Sequence, residues 1–181
     1  AADLDEVEEI AHHILNLPIR GLPVQRVIVA CKVEAAGEFY LGVTIDEYSG
    51  TPVVILSTAG GTSVEETART HPEFVVSKPV HIATGLPLSE ARQMAREAGL
   101  DDMDLMHVAS TLYALYGVFR KYDALLAEIN PLVRTPQGTY SALDSKVEID
   151  DSSLFRHPDL HLDLEDRFPN PLEQKGRQIG V

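Results

Sequence analysis

The fold is decided by residues 124–150, which read Ala-Leu-Leu-Ala-Glu-Ile-Asn-Pro-Leu-Val-Arg-Thr-Pro-Gln-Gly-Thr-Tyr-Ser-Ala-Leu-Asp-Ser-Lys-Val-Glu-Ile-Asp. Two stretches of alternating apolar residues flank Pro136-Gln137-Gly138, a pattern that predicts a β-hairpin. Proline sets the first φ angle of the turn, and Gly138 suits the left-handed position of a three-residue loop. The expected register places Thr135 opposite Thr139.

This register predicts which side chains share a face of the hairpin. Asn130 is placed opposite Asp144, and Glu128 is placed opposite Lys146. Because side chains alternate along a strand, these four lie on the same face. The other face is expected to be core, and it contains Ala127, Ile129, Val133, Leu143, Val147 and Ile149. The polar face is either a functional site or simply a solvated surface, and spacing alone leaves both open.

The polar face has the chemistry of a magnesium–nucleotide site. Asn130 and Asp144 supply two oxygen ligands with one negative charge in total, and they leave the other coordination positions of the ion for phosphates and water. One Asp with one Asn holds Mg²⁺ in protein kinases, on an unrelated fold. Glu128 could orient a nucleophile or a cationic group, whereas Lys146 could simply be its cross-strand partner.

Composition excludes several classes of protein. The chain has 181 residues, of which 44% are hydrophobic and 24% charged, which is typical of a globular domain. Its net charge of −13 argues against nucleic-acid binding. The single Cys31 excludes an internal disulfide framework and favours a reducing compartment. We therefore expect a cytoplasmic or mitochondrial-matrix protein.

The N-terminal part of the chain predicts one helix followed by strands. Apolar residues recur at helical spacing over residues 4–16, and Asp3 or Asp5 can cap this helix. Three strands of an antiparallel meander are then expected at residues 27–29, 39–45 and 53–56.

Two further helices are expected before the hairpin. Residues 89–98 suit a short helix that Ser89 caps and Gly99 ends. Residues 102–121 suit a longer helix whose apolar stripe is explained by core packing: Leu105, Val108, Ala109, Leu112, Tyr116 and Phe119.

Several motifs carry a resemblance to a known family. Glu128-Ile-Asn-Pro-Leu, Leu143-Asp-Ser-Lys and residues 150–160 resemble the β subunit of succinyl-CoA synthetase and related nucleotide-forming acyl-CoA ligases, which include ATP-citrate lyase. The similarity extends upstream through residues 21–29, 38–46 and 57–66, in the family's order. The matching motifs therefore cover most of the chain.

The resemblance implies an α+β fold, the C-terminal half of an ATP-grasp domain, with an antiparallel sheet packed against helices. It implies Mg²⁺ and ATP/ADP or GTP/GDP as cofactors, and an α subunit that carries a phosphohistidine and the coenzyme A site as partner.

The resemblance also assigns roles to individual residues. Asn130 and Asp144 match the family's magnesium ligands, and Glu128 matches the acid that meets the partner's phosphohistidine. Glu38 matches an acid that contacts the nucleotide. Ala30 and Val33 match positions of the hinge beside the adenine.

The chain departs from the family pattern at two sites. An acid is common at or beside the hinge, where this chain has Ala30-Cys31-Lys32-Val33. An acid also commonly precedes the glycine pair Gly60-Gly61, where this chain has Ala59. The glycine pair is either an anion-facing loop or a tight turn.

Length gives the domain prediction. The family's N-terminal phosphate-covering segment and its C-terminal domain are not found in the sequence, so we expect a fragment without ligase turnover of its own. Residues 1–160 are assigned to the C-terminal lobe of the ATP-grasp domain and residues 161–181 to a linker towards an absent CoA-ligase domain. Succinate is the favoured acid because that activity is the most widespread, with citrate and malate as alternatives. A docking module for the α subunit is the competing interpretation.

Overall fold

A computed structural model describes residues 3–19, 21–61, 64–160, 172 and 175–176. The chain divides into two compact units, residues 1–34 and residues 35–181. The linker predicted at residues 161–181 lies outside the described residues, apart from Leu172, Lys175 and Gly176.

The N-terminal unit begins with the predicted amphipathic helix. Helix α1 spans Leu4–Leu15, and the Asp3 side chain caps it by accepting a hydrogen bond from the backbone N–H of Glu6 at 2.9 Å. Two short strands follow, β1 (Pro18–Ile19) and β2 (Leu22–Pro23), which pair with each other. The Asp3 cap satisfies one of the backbone N–H donors that have no partner within the first turn of a helix.

The strand predicted at residues 27–29 is wrong. Residues 24–36 form no strand, and Ile28 is 96% exposed. The segment instead borders a cavity of about 210 Å³ whose lining is Val7, Ile10, Ala11, Ile14, Val27, Ile28, Val29 and Ala30. Alternating apolar residues suit a strand, but a strand also needs a neighbouring backbone, and no described strand pairs with this segment.

The second unit is built on a six-stranded antiparallel sheet. Its strands are β3 (Gly37–Asp46), β4 (Thr51–Ser57), β5 (Val75–Pro79), β6 (Ala124–Arg134), β7 (Tyr140–Ala142) and β8 (Ser145–Ile149). They are ordered β5-β4-β3-β6-β7, and β8 also pairs with β6. Strands β3 and β4 confirm the two later strands of the predicted meander.

Three helices accompany this sheet: α2 (Val64–Thr70), α3 (Leu88–Glu97) and α4 (Asp102–Lys121). Helix α3 ends as predicted, since Gly99 adopts a φ of +79° and its N–H bonds the Arg96 carbonyl. The predicted cap is wrong, because α3 begins at Leu88 with Pro87 at the N-cap, so that Ser89 falls inside the first turn. Proline has no side-chain acceptor and instead presets an extended backbone before the helix.

The hydrophobic core lies between α3, α4 and one face of the sheet. Leu41 and Val43 of β3 are fully buried there, together with Met94 of α3 and Leu112 of α4. The predicted stripe of α4 belongs to this core, with Leu105 partly buried at its edge. No helix among the described residues has the length and apolar character needed to cross a membrane.

One part of the predicted core is wrong. Ala127 and Ile129 belong to the core as expected, but Val133, although buried, lies outside the core cluster, which contains Leu132 instead. The register of β6 against β3 shifts by one residue between Ile129 and Leu132, which reverses the alternation there. Leu143 and Val147 are 47% and 43% exposed. Helix α4 packs across β3 and β6, whereas β7 and β8 lie beyond them at the edge of the sheet. Leu143 and Val147 are therefore apolar residues that no other element covers fully, and the alternating pattern alone does not reveal this.

Candidate functional site on the open face of the sheet

The predicted hairpin turn is confirmed. The N–H of Thr135 donates to the carbonyl of Thr139 at 2.8 Å, and the N–H of Gly138 donates back to Thr135 at 2.9 Å. Gly138 has a φ of +80°, as the left-handed position requires. Glu128 pairs with Lys146 in the register. The turn therefore aligns the two strands as the sequence predicts.

Asn130 and Asp144 are neighbours across the hairpin. The backbone N–H of Asn130 donates to the carbonyl of Asp144 at 3.1 Å. Asp144 lies in the short break between β7 and β8 and is exposed, whereas Asn130 is half-buried on β6. The register thus brings one carboxylate and one amide side chain to adjacent positions.

The glycine pair connects this hairpin to β3. The N–H of Gly60 donates to the carbonyl of Glu38 at 3.1 Å, and the N–H of Gly61 donates to Oδ1 of Asn130 at 2.8 Å. Gly61 has a φ of +74°, and a Cβ there would lie 2.5 Å from Oε2 of Glu38. The loop therefore brings Glu38 and Asn130 to the same place, although 92 positions separate them in the chain.

Glu128 has a partner that the sequence analysis missed. The hydroxyl of Tyr40, on β3, donates to Oε2 of Glu128 at 3.0 Å. Tyr40 is 4% exposed, and burial, followed by the nearby Glu128 carboxylate, raises the pKa of its hydroxyl well above the ordinary value. The phenol therefore remains a donor at neutral pH. Alternation along β3 places Tyr40 on the same face as Glu38, which was the available signal.

Glu128 and Tyr40 border an open cavity of about 450 Å³ on this face. Its lining also includes Lys146 of β8 and Glu65 of α2. Lys146 forms an ion pair with Glu148 of its own strand, with Nζ 3.7 Å from Oε2. Lys146 therefore faces the cavity without being bound to the carboxylate opposite it in the register.

The two hinge residues are described in the other unit. Ala30 is exposed and borders the cavity beside α1, and Val33 is half-buried. Both lie within residues 1–34, whereas Glu38, Glu128, Asn130 and Asp144 lie within residues 35–181. The four sheet residues therefore lie in one unit, and the two hinge residues lie in the other.

Asn130 and Asp144 fit a magnesium ion by the chemistry of their donors. Both carry oxygen ligands, which this hard cation prefers, and a single carboxylate leaves room for phosphate oxygens. Within the described ranges, His, Cys, Asp and Glu side chains form no group of three or more arranged to hold a metal.

Residues 1–134 match the family model of the ATP-grasp domain, and the chain belongs to the ATP-grasp family. The predicted fold is thereby confirmed, with its antiparallel sheet packed against helices.

Curated relatives confirm the resemblance to succinyl-CoA synthetase β subunits. The chain is 37% identical over 180 residues to the succinate–CoA ligase [ADP-forming] subunit beta of Halorubrum lacusprofundi, covering 99% of this chain and 47% of the relative. It is 40% identical over 175 residues to the GDP-forming subunit beta of Thermus thermophilus, covering 97% and 46%. The chain thus spans about half the length of the curated relatives that it matches.

Solved structures share the fold at low sequence identity. ATP citrate lyase from Methanothrix soehngenii, in complex with citrate and coenzyme A, aligns with a TM-score of 0.60 and 18% identity, covering 85% of this chain and 35% of that chain. A dinucleotide-forming acetyl-coenzyme A synthetase 1 from Ca. Korarchaeum cryptofilum aligns with a TM-score of 0.56 and 15% identity, covering 83% and 68%. These similarities establish the fold.

Proposed function

We propose that this chain is the nucleotide- and magnesium-binding part of the β subunit of an acid–CoA ligase of the succinate–CoA ligase type. The reaction converts acid, coenzyme A and nucleoside triphosphate into acyl-CoA, nucleoside diphosphate and phosphate. The observation that carries the proposal is the open sheet face where Glu38, Gly61 and Asn130 meet, beside Asp144 and Glu128.

Asn130 and Asp144 would hold the magnesium ion. Mg²⁺, when bound, neutralises phosphate charge during phosphoryl transfer. The hydrogen bond from Gly61 fixes the orientation of the Asn130 amide, so its oxygen is presented in one direction. Asp144 contributes negative charge from an exposed position that a nucleotide can reach.

Glu128 would meet the phosphohistidine of an α subunit at the cavity. The phosphoryl transfer between nucleotide and histidine can be described in the direction that forms nucleoside triphosphate, which is the reverse of the reaction above. The bond between the histidine nitrogen and phosphorus then breaks, and a bond forms between phosphorus and a terminal phosphate oxygen of the nucleoside diphosphate. A carboxylate beside the histidine orients the imidazole and stabilises its protonated form. The open cavity of about 450 Å³ that Glu128 borders supports this role.

The remaining assignments rest on the resemblance and on the relatives. Glu38 would contact the nucleotide, and Ala30 and Val33 would lie beside the adenine. Residues 1–160 would form the C-terminal lobe of the ATP-grasp domain, with residues 161–181 leading to a CoA-ligase domain. The names of the relatives favour succinate as the acid, and they include both ADP-forming and GDP-forming enzymes.

A calorimetric titration with ADP tests the metal assignment. We expect heat of binding that depends on Mg²⁺ and is lost in Asp144→Ala. Asp159→Ala is the matched control, because Asp159 is also an exposed aspartate, lies near Lys121 and is outside the hairpin. This control should bind as the unaltered chain does.

Two results would count against the proposal. Equal magnesium-dependent heat in Asp144→Ala and the unaltered chain would remove Asp144 from the metal site. Binding of an isolated α subunit, without any nucleotide binding by the assembled protein, would favour a docking module instead of a nucleotide-binding enzyme subunit.

A further inference from the structure

We infer that Tyr40 is a positioning residue for Glu128, and that Gly42 provides the space which lets its ring reach that carboxylate. This inference deepens the proposed function and rests on the role given there to Glu128. It concerns how the chain presents one carboxylate oxygen to the partner's phosphohistidine.

The register explains why Tyr40 can reach Glu128. Gly42 of β3 lies directly opposite Glu128 of β6, and Tyr40 is two positions further along the same face. A Cβ on Gly42 would lie 2.5 Å from the Tyr40 hydroxyl oxygen and 2.8 to 2.9 Å from two ring carbons. The phenol therefore occupies the space beside Gly42 that a side chain there would need. Any larger residue at that position would push the phenol away from Glu128.

The hydrogen bond orients a carboxylate that has a competing neighbour. Lys146 is opposite Glu128 on the other side, at the cross-strand distance where opposite charges attract. Lys146 instead pairs with Glu148, while Oε2 of Glu128 accepts from Tyr40 at 3.0 Å. The phenol thus holds one carboxylate oxygen and leaves the second oxygen for a group that enters the cavity.

The surroundings make this donor effective. Tyr40 is 4% exposed as a whole residue, so most of its side chain is removed from water. The charged groups that border the same cavity as Glu128 are Lys146 from β8 and Glu65 from α2. An ordinary tyrosine hydroxyl is already protonated at neutral pH, and burial, followed by the Glu128 charge, raises the pKa of Tyr40 further. A donor that stays protonated can orient the carboxylate throughout the neutral pH range.

Phosphoryl transfer in the assembled ligase tests the inference. The rate of loss of phosphate from the partner's phosphohistidine to nucleoside diphosphate is measured in Tyr40→Phe and Gly42→Ala. We expect a fall on the order of 10-fold in both variants, with an unchanged KM for the nucleotide, because orientation of Glu128 is lost while the nucleotide contacts remain.

A matched control separates positioning from stability. The hydroxyl of Tyr140 also donates to a carboxylate, that of Asp104, at a site that does not border the cavity. Tyr140→Phe therefore deletes the same kind of hydrogen bond. We expect its transfer rate to equal that of the unaltered protein, even where its stability falls.

A double-mutant cycle tests whether Tyr40 acts through Glu128. Glu128→Gln should lower the rate, and Tyr40→Phe should then have little further effect. A separate readout uses tyrosine labelled with ¹³C at Cζ, with the Tyr40 signal assigned by its absence in Tyr40→Phe. That signal should move in Glu128→Gln and stay in place in Tyr140→Phe.

The outcomes distinguish the two proposals. A slow Glu128→Gln variant with a fully active Tyr40→Phe variant would overturn the positioning role and leave the proposed function standing. A fully active Glu128→Gln variant would overturn the role of Glu128 itself, and the positioning role with it. A Tyr40 signal that ignores Glu128→Gln would overturn the hydrogen bond on which the inference depends.

Discussion

Replacing Gly60 by alanine should disturb both the fold and the candidate site. A Cβ at this position would lie 2.8 to 2.9 Å from the backbone N, C and O atoms of Phe39. Phe39 belongs to β3 and pairs with Leu132 of β6, and β3 pairs with β4 from Tyr40 onwards, so this backbone has little room to yield. The loop must therefore lift away from the strand.

The cost follows from the contacts that lifting breaks. The Gly60 N–H would lose the Glu38 carbonyl, and the Gly61 N–H would lose Oδ1 of Asn130. At about 0.5–1.5 kcal/mol for each hydrogen bond, the free energy of unfolding should fall by about 1–3 kcal/mol. The melting temperature of a chain of this size should fall by roughly 2 to 12 °C.

The assay is urea unfolding combined with the ADP titration. Gly60→Ala should also weaken magnesium-dependent ADP binding, roughly tenfold, because Asn130 loses the donor that orients it. Gly117→Ala is the control. Gly117 is exposed within α4, and a Cβ there would have no atom within 4 Å outside the neighbouring backbone of the helix. Alanine should therefore stabilise the helix by about 0.5–1 kcal/mol. Unchanged unfolding and binding in Gly60→Ala would refute the reasoning.

Two further predictions concern the core and the edge of the sheet. Leu112→Ala should lower the free energy of unfolding by about 2–5 kcal/mol, because Leu112 is fully buried in the core. An unfolding midpoint equal to that of the unaltered protein would contradict this. Burial and then the Asp104 hydrogen bond raise the pKa of Tyr140 to about 12 from an ordinary value of 10. The protonated phenol is favoured in the folded state, so its stabilisation is complete below pH 10 and is lost as the pH rises towards 12. Tyr140→Phe should therefore show a smaller loss of stability over this interval in unfolding experiments at stepped pH.

Local patterns predicted the hairpin and most helices correctly. The Pro136-Gln137-Gly138 turn is a short-range feature, and it sets the register of the flanking strands as far as the pair Leu126–Glu148. Helix α4 and its buried stripe follow from helical periodicity in the same way. Such features depend on residues close together in the chain, so the sequence contains the information directly.

Contacts between distant residues were beyond those patterns. Tyr40 and Glu128 are 88 positions apart, and Gly61 and Asn130 are 69 positions apart. These pairs depend on β3 lying beside β6 and on the path of the glycine loop. Neither follows from alternation, which identifies a face of a strand without identifying its neighbour.

The errors have the same physical origin. Residues 27–29 alternate as a strand does, but no described strand offers them a backbone to pair with. Leu143 and Val147 have the right alternation for a core, but they lie at the edge of the sheet, whereas α4 packs mainly across β3 and β6. Turn residues and periodicity act over a few neighbouring positions, so they can be recognised from the sequence. Burial and strand pairing depend on which elements come into contact, and these contacts are determined only by the tertiary structure.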